Sequence, residues 1–111
     1  AVEVNVSLTD TKIDIDKAIP VGLIVNELVT NAFKYAFSNT AVPRVMVNMT
    51  SVGDKIKLVV ADNGSGFDPA LIGRKKESFG MKLVNMLVSQ LKGEMITEQN
   101  NGAMFTVTYK S

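Results

Sequence analysis

Glu27, Asn31 and Lys34 stand four and three residues apart. On a helix that spacing puts a carboxylate, a carboxamide and an ammonium in one file, within an arc of roughly 60°. Such a file suits a Mg²⁺-bound polyphosphate, because Mg²⁺ takes hard oxygen ligands in octahedral geometry and keeps several waters when phosphates supply the rest. Asn31 would offer one neutral carbonyl oxygen. Glu27, a turn earlier, would hold a metal-bound water or accept a proton, and Lys34 would neutralise phosphate charge. Tyr35 lies beside the file and leans toward a base or ribose, or into a core. A surface helix shows the same division of faces, so the spacing alone leaves both readings open.

A second candidate is Asp62-Asn63-Gly64-Ser65-Gly66, which follows the apolar run Leu58-Val59-Val60-Ala61. An ordinary turn accounts for such a segment. The chemical alternative is a base pocket. A carboxylate at a strand end accepts but cannot donate, which matches an exocyclic amino group such as that of adenine, and glycines let the backbone come close to a ring. A third candidate is Gly80, at the start of a helix whose free N–H groups would face phosphate oxygens. Before it, Arg74, Lys75 and Lys76 form either a closing lid or plain solvated loop charge.

These groups need elements to hold them. Val2, Val4, Val6 and Leu8 alternate as a half-buried strand, with a turn over Thr9 to Lys12. Asp16 is expected to cap a first helix that has Pro20 near its first turn and runs to about Phe37. Val21, Val25, Leu28, Val29, Ala32 and Ala36 form its apolar side, opposite Glu27, Asn31 and Lys34. A loop from Ser38 to Pro43 leads to a strand through Val45, Val47 and Met49, a tight turn at Gly53-Asp54, and a strand from Lys55 to Ala61. Leu83, Val84, Leu87, Val88 and Leu91 mark a second helix that Gly93 ends. Two last strands, about Glu94 to Glu98 and Ala103 to Tyr109, are joined by Asn100-Asn101-Gly102.

The chain has 111 residues, the size of one compact domain, and is 46% apolar, which fits an α/β or α+β core. Twelve basic and 11 acidic side chains leave a net charge of +1, so there is no one-sided basic field for nucleic acid or an anionic membrane. No apolar run approaches the ~20 residues of a membrane-spanning helix, and a cytosolic location is the default expectation. The absence of cysteine excludes disulfides and thiolate metal sites. The absence of histidine excludes Ser-His-Asp chemistry, histidine-ligated zinc and a histidine phosphoacceptor within this chain. Beginning at Ala1 in a strand-like pattern, the chain reads as a segment of a longer protein.

Taken together, N-E-L-V-T-N-A-F-K-Y-A-F at Asn26 to Phe37, D-N-G-S-G-F at Asp62 to Phe67 and S-F-G-M-K-L-V-N-M-L-V-S-Q-L-K-G at Ser78 to Gly93 resemble the histidine kinase ATPase domain. They occur in that family's order and spacing, over nearly the whole chain. The resemblance is to kinases whose dimerisation segment is of the HisKA_2 or HWE-like kind. It implies an α/β (α+β) two-layer sandwich of the Bergerat type, with a mixed sheet and helices on one face. Residues 1–111 would then be a single ATP-binding catalytic domain, with ATP and Mg²⁺ as ligands. Carried over by motif, Asn31 would be the Mg²⁺ ligand and Asp62 the partner of the adenine amino group. Gly64 and Gly66 would shape the base pocket, Lys34 would meet phosphate and Tyr35 would border the base. Gly80, Met81 and Leu83 would belong to the phosphate cradle. Glu27 occupies a position held by glutamate in related water-activating ATPases and by asparagine in many histidine kinases.

Two features depart from the family pattern. The glycine-rich lid of the GxGLGL kind is reduced to Ser78-Phe79-Gly80-Met81-Lys82-Leu83, and the C-terminal GTxF is Gly102-Ala103-Met104-Phe105, which lacks the hydroxyl. The implied partners are a histidine-bearing dimerisation domain and a response regulator, within a parent protein that is cytoplasmic or membrane-attached. The alternatives are an anti-sigma-factor-type serine kinase, a degenerate nucleotide-binding or docking module, and a gyrase-, Hsp90- or mismatch-repair-like ATPase.

Overall fold

The computed structural model describes residues 3–8, 13–33, 44–64, 79–99 and 102–110. Five strands form one sheet: β1 (Glu3–Leu8), β2 (Arg44–Val52), β3 (Lys55–Asp62), β4 (Glu94–Gln99) and β5 (Ala103–Lys110). Their spatial order is β1-β2-β3-β5-β4. β1 runs parallel to β2 and every other pairing is antiparallel, so the sheet is mixed as expected. Two helices are described, α1 (Ile15–Asn31) and α2 (Phe79–Gln90).

The sheet has one apolar face because its strands alternate. Val45, Val47 and Met49 of β2, Ile56, Leu58 and Val60 of β3, and Ala103, Phe105, Val107 and Tyr109 of β5 are all buried. Strand register puts them in rows, with Val47 facing Val60, Val60 facing Phe105, Met49 facing Leu58 and Leu58 facing Val107. Against this face lie Val21, Ile24, Leu28 and Ala32 from α1 and Val84, Leu87, Val88 and Leu91 from α2. Val25 and Val29 only partly join the core, and Ile24 is fully enclosed. Each fully buried aliphatic side chain contributes about 1.5–3 kcal/mol of transfer free energy. The result is a two-layer α/β sandwich.

Three local expectations need correction. Lys17 and Ala18 donate their N–H groups to the Asp14 carbonyl, at 2.9 and 3.0 Å. α1 therefore starts from Asp14, whose side chain makes no capping bond, and Asp16 sits inside the first turn instead of capping it. Pro20 consequently falls in the second turn, where it leaves the Asp16 carbonyl without its usual donor while its ring is buried. At the other end the coil widens into a π-type turn at Ala32 and Phe33, and the expected continuation to Phe37 lies outside the described residues. Gly93 is not the residue that turns α2 off. Lys92 takes the left-handed conformation, at φ 55°. Lys92 N–H then bonds Ser89 C=O at 2.9 Å and Gly93 N–H bonds Val88 C=O at 3.0 Å, a Schellman closure. Gly93 is needed for room, since a Cβ there would lie 2.7 Å from the Thr108 carbonyl oxygen.

The Gly53-Asp54 turn is as expected, with Gly53 at φ 62°. Val2, the side chains of β1, the turn over Thr9 to Lys12, the loop from Ser38 to Pro43, and Asn100 and Asn101 lie outside the described residues or atoms.

Candidate functional site

The direction of each helix follows from three contacts. Lys17, in the first turn of α1, donates its ammonium to the Lys110 carbonyl at 3.0 Å, and its Nζ lies 6.0 Å from the centre of the Tyr109 ring. Lys110 pairs with Lys55, so α1 begins over the start of β3. A helix of 17 residues spans about 25 Å and a strand of 8 about 26 Å, so α1 ends level with Asp62. α2 runs the opposite way: it starts beside Glu27 and Asn31 and ends against Thr108 and Tyr109. Glu27, Asn31, Gly80 and Asp62 thus gather at one end of the sandwich.

On the helix side of that end, Glu27 and Asn31 are both half-buried and one turn apart. A Cβ built on Gly80 would lie 2.5 Å from Glu27 Oε2 and 3.8 Å from Asn31 Oδ1. The two side-chain oxygens therefore converge on the first turn of α2. A carboxylate there is favoured by the positive end of the helix dipole, and a side chain at 80 would displace the end of Glu27 from that position. Met81 and Leu83 are partly buried against the hydrophobic core. Met81, in the first turn of α2, can offer an anion its main-chain N–H, whereas Leu83 lies one turn in, where its N–H is taken up by the helix.

On the sheet side, the end of β3 is built around one carboxylate oxygen. Asp62 Oδ1 accepts the N–H of Gly64 at 3.0 Å and that of Ala103 at 3.2 Å. Gly64 is buried. Gly102, at φ 132°, packs so closely that an added Cβ would overlap the Asp62 carbonyl. Asn63 ties the same corner to β2, its N–H bonding the Arg44 carbonyl at 3.2 Å and its Oδ1 accepting Arg44 N–H at 2.7 Å. In sequence Asn63 is only part of a turn, Gly102 part of a hairpin connection and Ala103 the place of a missing hydroxyl. Their nearness to Asp62 depends on β5 pairing with β3 across 41 residues of sequence, which no local pattern reports.

Lys34, Tyr35, Gly66, Arg74, Lys75 and Lys76 lie outside the described residues. Among the described residues no three His, Cys, Asp or Glu side chains cluster as a metal cage. Among the described residues, a carboxylate and a carboxamide oxygen face the α2 start. That set fits a cation such as Mg²⁺ that takes a few protein oxygens and completes its shell with phosphate and water.

The sequence model of the family described as histidine kinase-, DNA gyrase B-, and HSP90-like ATPase matches residues 3–111. The chain is 28% identical to blue-light-activated histidine kinase 2 of Erythrobacter litoralis (strain HTCC2594), with 96% of the chain aligned to 32% of that kinase. Among solved structures it resembles the histidine kinase domain of an Erythrobacter litoralis blue-light-activated histidine kinase. There the TM-score is 0.88 at 25% identity, covering 99% of this chain and 52% of that one. The Acinetobacter baumannii histidine kinase AdeS shares the fold at TM-score 0.77 and 18% identity, over 98% of this chain and 54% of that one. The chain therefore spans about a third of the curated relative and about half of the solved kinase domain it matches.

Proposed function

Because this chain belongs to the histidine kinase-, DNA gyrase B- and HSP90-like ATPase family, we propose that it is the ATP-binding catalytic domain of a sensor histidine kinase. It would hold Mg²⁺-ATP at the end of the sandwich where α1, α2 and β3 meet. A histidine on a separate dimerisation domain would attack the γ-phosphate, and a response regulator would receive the phosphoryl group next. The family includes ATPases of other kinds, and the similarity to two histidine kinases is what favours this branch. The parent protein would work in the cytoplasm, with or without membrane attachment.

One observation carries the reading. Asp62 is fixed through Oδ1 by two main-chain donors at the same end of the fold as the Glu27–Asn31 pair and the start of α2. Each part then has work to do. The second oxygen of Asp62 accepts the adenine amino group, and Gly64 and Gly66 admit the ring. Tyr35 borders the base. Lys34 and the main-chain N–H groups of Gly80 and Met81 hold phosphate oxygens, while Leu83 supports the cradle from the core side. Asn31, and Glu27 through water, would hold Mg²⁺, which when bound would supply positive charge against the phosphates. In phosphoryl transfer the protein mainly positions groups and stabilises charge. A P–N bond forms to the incoming imidazole while the bond between the γ-phosphorus and the bridging oxygen breaks, and ADP departs. Glu27, which faces the first turn of α2, would hold water beside the cation, and no general base is required for an imidazole that attacks in its neutral form.

The test is calorimetric titration of Mg²⁺-ATP into the chain and two variants. A hydrogen bond to a charged acceptor is worth about 1.5–3 kcal/mol, so Asp62→Asn should weaken binding roughly 10- to 150-fold. Asn31→Ala should abolish the dependence of affinity on Mg²⁺ while ATP still binds weakly without the metal. Failure of the unaltered chain to bind ATP would sink the proposal and favour a docking module that has lost its nucleotide.

A further inference from the structure

We infer that Asn63 is a positioning residue of the base pocket, its carboxamide replacing its own main-chain carbonyl in the β2–β3 ladder so that Asp62 is aimed at the base. The inference rests on Asp62 being the partner of the adenine amino group. In an antiparallel ladder, a hydrogen-bonded pair exchanges N–H and C=O in both directions. Val45 faces Asp62, so the next pair along is Arg44 with Asn63. Half of that exchange is regular: Asn63 N–H donates to the Arg44 carbonyl at 3.2 Å. The other half is not, because Arg44 N–H donates to Asn63 Oδ1 at 2.7 Å instead of to main chain.

This substitution releases the backbone. Were the Asn63 carbonyl to take the Arg44 N–H, the chain would continue along the sheet. With the side chain in that place the main chain turns at once. Gly64 N–H then swings back to Asp62 Oδ1 at 3.0 Å, and Ala103 N–H reaches the same oxygen from β5 at 3.2 Å. Gly102 closes the remaining side against the Asp62 main chain. Both bonds fall on Oδ1, so the other carboxylate oxygen has a fixed direction, and among the described residues it carries no hydrogen bond. A residue without an acceptor at 63 would let Arg44 N–H recapture the main-chain carbonyl. The strand would lengthen by one pair and the Gly64 amide would leave Oδ1.

The readout is discrimination between ATP, which presents an amino group at purine position six, and inosine triphosphate, which presents a carbonyl. A purely structural role for Asn63 would weaken both nucleotides alike and leave their ratio unchanged. The unaltered chain should prefer ATP by roughly 10- to 150-fold, the range of a hydrogen bond to a charged group. Asn63→Ala should reduce the preference to under about threefold. Asn63→Asp keeps Oδ1; its added charge lowers both affinities but should leave their ratio near the original value. Asp62→Asn puts a donor where the base expects an acceptor and should erase or reverse the preference.

If Asp62→Asn loses discrimination while Asn63→Ala keeps it, the role given to Asn63 is overturned and the ATP reading stands. If Asp62→Asn keeps discrimination, or the unaltered chain binds neither nucleotide, both fall. Should Asn63→Ala fail to fold, ¹⁵N spectra of Asn63→Asp decide the matter. The Arg44 amide resonance should follow the titration of the introduced carboxylate, and a stationary Arg44 signal would overturn the proposal.

Discussion

Tyr109 is 2% exposed and its hydroxyl makes no hydrogen bond among the described residues. Burial raises its pKa above the usual 10.0, and the nearby Asp14 carboxylate adds to the shift, because both disfavour a phenolate there. The unfolded chain loses this proton near 10 while the folded chain retains it, so the unfolded state binds fewer protons in that range. Stability is therefore fully present below about pH 10 and falls as pH rises from there through the raised folded value. Tyr109→Phe should flatten this alkaline loss. At neutral pH it should cost little, since it deletes a polar atom that has no partner among the described residues and leaves the ring beneath Lys17. Thermal melts from pH 8 to 11 on both proteins would show it, and a variant that still loses stability as steeply above pH 10 would refute the assignment. Gly93 and Gly102 share the opposite principle, each leaving space for a neighbour's main-chain oxygen.

Helix ends and strand faces carry their own consequences. Lys92 occupies the left-handed position of the α2 closure, where a side chain is disfavoured by roughly 1–2 kcal/mol. Replacing it by glycine removes the clash but adds unfolded-state freedom. Lys92→Gly should stabilise the chain by about 0.5–1 kcal/mol, seen as a rise of a few degrees in the melting midpoint. No rise, or a fall, would mean that the Lys92 side chain makes contacts worth more than the strain. The strands were readable because alternation was strong: Val45, Val47, Met49, Ile56, Leu58 and Val60 are all buried. Helix ends were less readable. Asp16 looked like a cap beside Pro20, yet α1 starts from the Asp14 carbonyl, and Gly93 looked like the terminator although Lys92 takes that conformation. A cap is decided by which carbonyl the first amides reach, and residue type reports that only loosely.

At the scale of the molecule, the chain holds no histidine, so under the proposed function the phosphoacceptor would have to stand on another domain. Incubation with labelled Mg²⁺-ATP should leave the chain itself free of acid-labile phosphate. Adding a histidine-bearing dimerisation segment of the parent protein should place label on that segment, and Asn31→Ala, which removes the proposed cation ligand, should reduce the rate by at least about tenfold, or about 1.4 kcal/mol. Acid-labile label on the 111-residue chain alone would contradict that placement.

By itself the sequence determined the layers, the family and the candidate residues, because alternation, helical spacing and ordered motifs are local quantities that neighbours along a chain express. It also fixed the absence of a nucleophilic imidazole. Tertiary structure alone decided that Asp62 answers to Ala103 and Gly102, that Asn63 bonds Arg44, and that Gly80 lies against Glu27. Those relations arise from strand order and from helix direction across the sheet. Pairing partners separated by tens of residues are chosen by burying one apolar face as a whole, and no stretch of sequence contains that choice.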